Sequence, residues 1–137
     1  MSYILKPGKS TTWRKHLLTN LMIELVMHGR LVIVFERAKL LQRKVEKFLS
    51  AVKREFKQEE KLPEWLVKRI VSQLGNQKKN DEVYLPKKVT EIIKKFPYEL
   101  KSGFTRIEKL PKVRKGDGAI LAEIKFCFKE NENLKKK

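Results

Sequence analysis

A single cysteine, Cys127, stands among 137 residues, so neither an internal disulfide nor a multi-cysteine zinc site can form. Its place in an alternating stretch predicts a half-buried strand residue. Histidine is nearly as scarce. His16 and His28 lie twelve residues apart on one expected helix, not at the i, i+4 spacing that lets two imidazoles share a metal. Both are expected to be non-catalytic. No apolar run approaches the roughly 20 residues that span a bilayer, and the opening MSYILKPGKSTTW lacks the apolar segment of a secretory signal. A cytoplasmic protein with no membrane partner is the expectation. The glycine-rich phosphate loop, the dinucleotide fingerprint and the serine of a nucleophile elbow are all missing. No cofactor, metal or small-molecule substrate is expected.

Acidic residues are also in deficit, at 16 against 33 Lys and Arg, for a net charge of +17. Hydrophobic residues make up 41%, which predicts a folded body the size of one domain. Such a body tolerates that self-repulsion poorly unless a polyanion neutralises it. Nucleic acid is the first candidate and an anionic membrane surface the second. A basic surface with no anionic partner fits this charge density least well.

Residues 1–11 carry Pro7, Gly8 and no acid and read as an extended basic arm. Thr11 or Thr12 can cap a helix running to about Met27, with Leu17, Leu18, Leu21, Met22 and Leu25 at helical spacing and Gly29 at its end. Residues 30–35, RLVIVF, predict a buried strand. Ala38, Leu41, Val45, Phe48, Leu49, Val52 and Phe56 then form the stripe of a second helix. Pro63 opens a third, with Leu66, Ile70, Val71 and Leu74, ending at Gly75. After a loop over 75–81, Pro86 opens a fourth with Val89, Ile92, Ile93 and Phe96, and Pro97 closes it.

The period then changes, and residues 104–110 and 119–128 predict two strands. In the second, Ile120, Ala122, Ile124, Phe126 and Phe128 point one way, and Leu121, Glu123, Lys125 and Cys127 the other. The expected fold is α+β and two-layered, in the order α-β-α-α-α-β-β, with helices packed on a small mixed sheet. The basic arm (1–11) leads into a single domain (12–128), and a Lys-rich tail (129–137) follows it.

Cations gather in three places: Lys6, Lys9, Arg14 and Lys15; then Arg30, Arg37, Lys39 and Arg43; then Arg106, Lys109, Lys112, Arg114 and Lys115. Guanidinium and ammonium groups so gathered suit phosphate oxygens. Trp13 could stack on a base or act as a hydrophobic staple where the first helix begins, and the staple is preferred. The stretch KLPKVRKGDGAI (109–120) sets one aspartate, Asp117, between two glycines. Asp117 has no second carboxylate at metal-binding spacing. Glu108 and Glu123 lie on adjoining strands where ion pairing accounts for them, so a magnesium-dependent nuclease is not expected. The stretch reads as a hairpin connection, its glycines permitting the turn and its aspartate bonding turn amides or Arg114.

SGFTRIEKL followed by RKGDGA resembles the Gly-Gly-Tyr-Thr-Arg-Ile…Arg-Gly-Asp-Ala-Ala pattern of bacterial large-subunit ribosomal protein seventeen. WRKHLLTNLMIELVMHGRL and RAKLLQRKVEKFL resemble that family's upstream segments in the same order, and Tyr98 falls at its distance before Phe104. The likeness covers residues 6–56 and 96–126, and none is visible between about 57 and 95. It implies the same α+β order and a structural, non-enzymatic protein with no cofactor. By resemblance the partners are large-subunit ribosomal RNA and neighbouring ribosomal proteins. The resemblance also implies a place near the peptide exit tunnel, with the basic arm reaching into RNA. Thr105, within the TRI motif, joins the cations above as an expected RNA contact. The alternative is a free or ribosome-associated RNA-binding factor that acts transiently.

Overall fold

The computed structural model describes residues 10–55, 64–74, 85–97 and 99–128. Within them the order is α1 (Thr11–His28), β1 (Arg30–Val34), α2 (Phe35–Glu55), α3 (Glu64–Leu74), α4 (Leu85–Lys95), β2 (Thr105–Val113) and β3 (Ile120–Phe126). This is the expected α+β succession. The arm, apart from Ser10 and Thr11, the loop over 75–81, Tyr98 and the Lys-rich tail lie outside the described residues.

The cap of α1 is Ser10, not Thr11 or Thr12. Its backbone is extended and its hydroxyl accepts from the Trp13 amide at 3.1 Å, so both threonines become helical. Trp13 therefore sits inside the first turn rather than before it, which is not where a staple packs. At the other end Gly29, at φ 78, donates its amide to Leu25 O and turns the chain into β1. The buried residues Met22, Ile23, Leu25 and Val26 extend beyond a single stripe. The reason is that α1 is packed by α2, α3 and α4 together.

The sheet is antiparallel throughout, in the order β1-β3-β2, where a mixed sheet was expected. The helical crossover does leave β1 and β2 pointing the same way. The hairpin return, β3, then inserts between them, so no parallel pair forms. β2 runs past the expected Leu110 to Val113 and includes Pro111. Proline survives there because β2 is an edge strand and its register shifts between Lys109 and Val113. Ala122, Ile124 and Phe126 are buried against the helices as the alternation predicts. Ile120 shares their parity but is 46% exposed, since it lies towards the open hairpin end.

α2 is the spine. Ala38, Leu41, Val45, Phe48, Leu49 and Val52 are all buried along it, and those from Leu41 to Val52 share one core with Ile70, Leu74, Val89, Ile92, Ile93, Phe96 and Phe104. Beside that stripe runs a second line at helical spacing: Gln42, Glu46, Ser50 and Lys53. The Glu46 carboxylate accepts from the Thr105 amide and hydroxyl, both at 2.8 Å, and from the Gly103 amide at 3.1 Å. Gln42 donates to Thr105 O, Ser50 to Lys101 O, and Lys53 to the carbonyls of Leu100 and Pro97. One face of α2 thus satisfies carbonyls of Pro97, Leu100, Lys101 and Thr105 and amides of Gly103 and Thr105, and fixes where β2 starts.

Removing the central acceptor leaves two amides and a hydroxyl to find other partners. Glu46→Ala should cost about 1–3 kcal/mol in a urea titration, the range for stranding half-buried donors, with an unchanged m-value. A loss below about 0.5 kcal/mol would show that Glu46 is an ordinary surface residue.

Candidate nucleic-acid interface

The sheet order joins cations that the sequence holds far apart. Arg30 on β1 and Arg106 on β2 both register with Lys125 on the central strand β3. Three cations therefore form a row across the open face. One step along that face, Val32 and Glu108 both register with Glu123. The two carboxylates answer the row: Arg30 lies 3.9 Å from Glu123, while Arg106 and Lys125 lie 3.5 and 3.3 Å from Glu108. Cations outnumber acids three to two, and the acids are engaged in ion pairs, as expected for Glu108 and Glu123.

A second convergence lies on the helix side of the sheet. Phe35, expected at the end of β1, instead begins α2. Lys39, one turn further along α2, places its ammonium 4.4 Å from the Phe35 ring centre, and Lys109 of β2 reaches the same ring at 4.5 Å. These lysines were separate features in the sequence. Beyond them the hairpin extends Lys112, Arg114 and Lys115 into solvent. Val113 opposite Ile120 closes the ladder before the turn.

The turn is held by its own charges. Arg114 donates through Nε to Asp117 Oδ1 at 3.0 Å and through Nη2 to Oδ2, and the Ala119 amide donates to Oδ1 at 3.2 Å. Beyond the ladder the Arg114 amide donates to Ala119 O at 2.8 Å, and the Gly118 amide donates to Arg114 O at 3.0 Å. Gly116 and Gly118 sit at φ 104 and 66, where a side chain would be strained. Asp117 thus does both things expected of it. With Arg114 engaged, Lys112 and Lys115 are the tip's uncommitted cations among the described residues.

At α1, Arg14 is half-buried and Lys15 exposed. Lys44, overlooked in the sequence, donates to Thr19 at 3.0 Å. Burial first, and the nearby Lys15 charge second, hold its ammonium pKa below the ordinary lysine value. Arg37 is half-buried in the first turn of α2 and Arg43 is exposed on it. Lys6 and Lys9 fall outside the described residues. Thr105 is turned the other way: it is 7% exposed, with its hydroxyl, amide and carbonyl committed to Glu46 and Gln42. It positions β2 and presents no group outward.

His16 is exposed, and His28 Nε2 lies 3.1 Å from Glu24. Among the described residues no group of three or more His, Cys, Asp or Glu could hold a metal, and no helix is long and apolar enough to cross a membrane. Lys125, like Lys44, is a cation of the candidate surface that the sequence left unread. Alternation put it on the open face, but only the central position of β3 sets it between two arginines.

The family model for ribosomal protein L17 matches residues 17–127. The chain belongs to the ribosomal protein L17 family. The L17 match runs through residues 57–95, where the sequence showed no visible likeness. The large ribosomal subunit protein bL17 of Mesoplasma florum is 37% identical over 127 residues, covering 92% of this chain and 99% of its own. The bL17 protein of Thermomicrobium roseum is 32% identical, over 88% of this chain and 92% of its own. That of Opitutus terrae is 31% identical, over 94% of this chain and 72% of its own.

The Arg114 hydrogen bonds, then the Ala119 amide, hold the Asp117 carboxyl well below the usual carboxylate range. The fold favours the ionised form. Its stabilising effect is therefore present above the unfolded value of about 3.9 and is lost only as pH falls through the depressed folded value. A carboxyl-carbon NMR titration should show no Asp117 midpoint between about pH 3 and 5. A midpoint near the ordinary aspartate value would mean that the pair with Arg114 does not form in solution.

Proposed function

We propose that this chain, a structural constituent of the large ribosomal subunit, clamps ribosomal RNA through backbone phosphates and does no chemistry of its own. Membership of the ribosomal protein L17 family supports the subunit role and, with it, work in translation in the cytoplasm. The observation that carries the RNA clamp is the convergence around β2 of cations from distant parts of the sequence. Arg30, Lys125 and Arg106 lie on one face, Lys39 and Lys109 on the other, and Lys112 and Lys115 at the tip. At a net charge of +17, releasing the counterions of a polyanion is the main thermodynamic reward available to such a surface.

Recognition by shape follows, because an A-form duplex hides its major-groove edges while its phosphates stay accessible. Arg14, Lys15 and Lys44 extend the basic surface to α1, and RNA contacts by Lys6 and Lys9 rest on the sequence alone. The position near the peptide exit tunnel, and contact with neighbouring ribosomal proteins there, rest on the family resemblance. The single domain over 12–128, flanked by basic arm and tail, is the unit that docks.

In a lysate gradient the protein should sediment with large subunits and stay there in stoichiometric amount after a high-salt wash. Release into the soluble fraction would favour a factor that visits the subunit transiently. If about eight cations meet phosphates, log affinity for large-subunit ribosomal RNA should fall by about 0.7–0.9 per contact per log unit of salt. A slope corresponding to one or two contacts contradicts the clamp.

A further inference from the structure

We propose that Phe35 organises a two-lysine seat for one phosphodiester of the RNA backbone, between the start of α2 and β2. This rests on the RNA clamp and assigns one phosphate to a specific place within it. The argument starts from what each interface cation already touches. Arg30 is close to Glu123, Arg106 and Lys125 to Glu108, and Arg114 to Asp117. An RNA phosphate arriving at any of these must compete with a resident carboxylate.

Lys39 and Lys109 differ. Each ammonium lies over the same ring, at 4.4 and 4.5 Å from its centre, and among the described residues neither forms an ion pair. The ring quadrupole attracts both charges but neutralises neither. Two like charges drawn to one ring repel each other, and an anion within reach of both offsets that repulsion without displacing a carboxylate. Nor are the lysines loose, as exposed lysines ordinarily are. The ring orders both side chains before RNA arrives, so less freedom is lost on binding. Lys112 and Lys115, exposed on the hairpin, rest on no ring among the described residues.

The fold explains why these side chains meet. Gln42 and Glu46 hold Thr105, and from Thr105 the strand advances about 13 Å to Lys109. From Gln42 and Glu46 back to Phe35 the helix covers about 11 to 17 Å. The two advances match, and Lys109 lies on the helix side because its register partner is Ala122, which is buried under the helices. Phe35 is thus a positioning residue: it touches the lysines, and the lysines touch the phosphate.

The test measures binding of the full-length protein to transcribed large-subunit ribosomal RNA across a salt series. Lys39→Gln and Lys109→Gln should each flatten the log–log slope by about 0.7–0.9, the size of one phosphate contact. Their losses should be non-additive, because a phosphate bridging two ammonium groups is weakened by removing either. Phe35→Leu keeps the apolar volume and both charges, so it should lower affinity about five- to tenfold with the slope unchanged. Phe35→Tyr should restore binding. In the free protein, the ring-current-shifted side-chain methylene signals of Lys39 and Lys109 should move to ordinary lysine positions in Phe35→Leu.

Wild-type affinity in Phe35→Leu, or additive lysine losses, would overturn the seat while leaving the clamp intact. Lysine variants with an unchanged slope would overturn it equally, even if Phe35→Leu failed to fold. Failure of the wild-type protein to bind the RNA would instead contradict the clamp.

Discussion

A seam of four polar side chains along α2 is the constraint on which the rest of the structure depends. Gln42, Glu46, Ser50 and Lys53 recur at helical spacing beside the apolar stripe. Together they satisfy carbonyls and amides from Pro97 to Thr105. Burial alone fixes which face of the hairpin is inward but leaves open a two-residue slide along the helix, since that keeps the same face buried. Hydrogen bonds to named backbone groups exclude it. A slip of one residue would strand the Thr105 amide and hydroxyl and turn every side chain of β2 to the opposite face.

That fixed register is what turns a basic composition into a basic site. With Thr105 pinned, Arg106 falls opposite Lys125, and Lys109 falls over Phe35. The surface then contains two kinds of cation. On the open face and at the turn, carboxylates hold arginine and lysine in place and moderate their mutual repulsion, in a chain whose net charge is +17. At Phe35 an aromatic ring does the ordering instead and leaves the charges unneutralised. Binding should therefore draw most on the second kind and on the lysines of the hairpin.

The sequence made the helices and strands legible because their periodicities are strong. The stripe from Ala38 to Val52 and the alternation from Ala122 to Phe126 both reappear as buried faces. What stayed hidden depends on pairing across distance. The polar seam on α2 looks like a solvated flank, since nothing local tells Glu46 from Lys47. Thr105 lies inside a family motif beside Arg106, and only the tertiary contact with Glu46 shows it facing inward. Lys125 gains its neighbours from the strand order, and the expected mixed sheet missed that β3 would insert between β1 and β2. The cap falls on Ser10 rather than on Thr11 or Thr12, and the sequence does not distinguish the three because all are competent caps.

The central claim is that cations converging around β2 are the surface given to RNA. Its most direct test is lysine acetylation footprinting, comparing the free protein with the protein in salt-washed large subunits. Lys39, Lys109, Lys112 and Lys115 should lose reactivity together on assembly. Lys68, Lys87 and Lys94, exposed on α3 and α4, should lose far less. Protection of the α3 and α4 lysines with the β2 group left reactive would contradict the account and place the RNA on the helical side of the molecule.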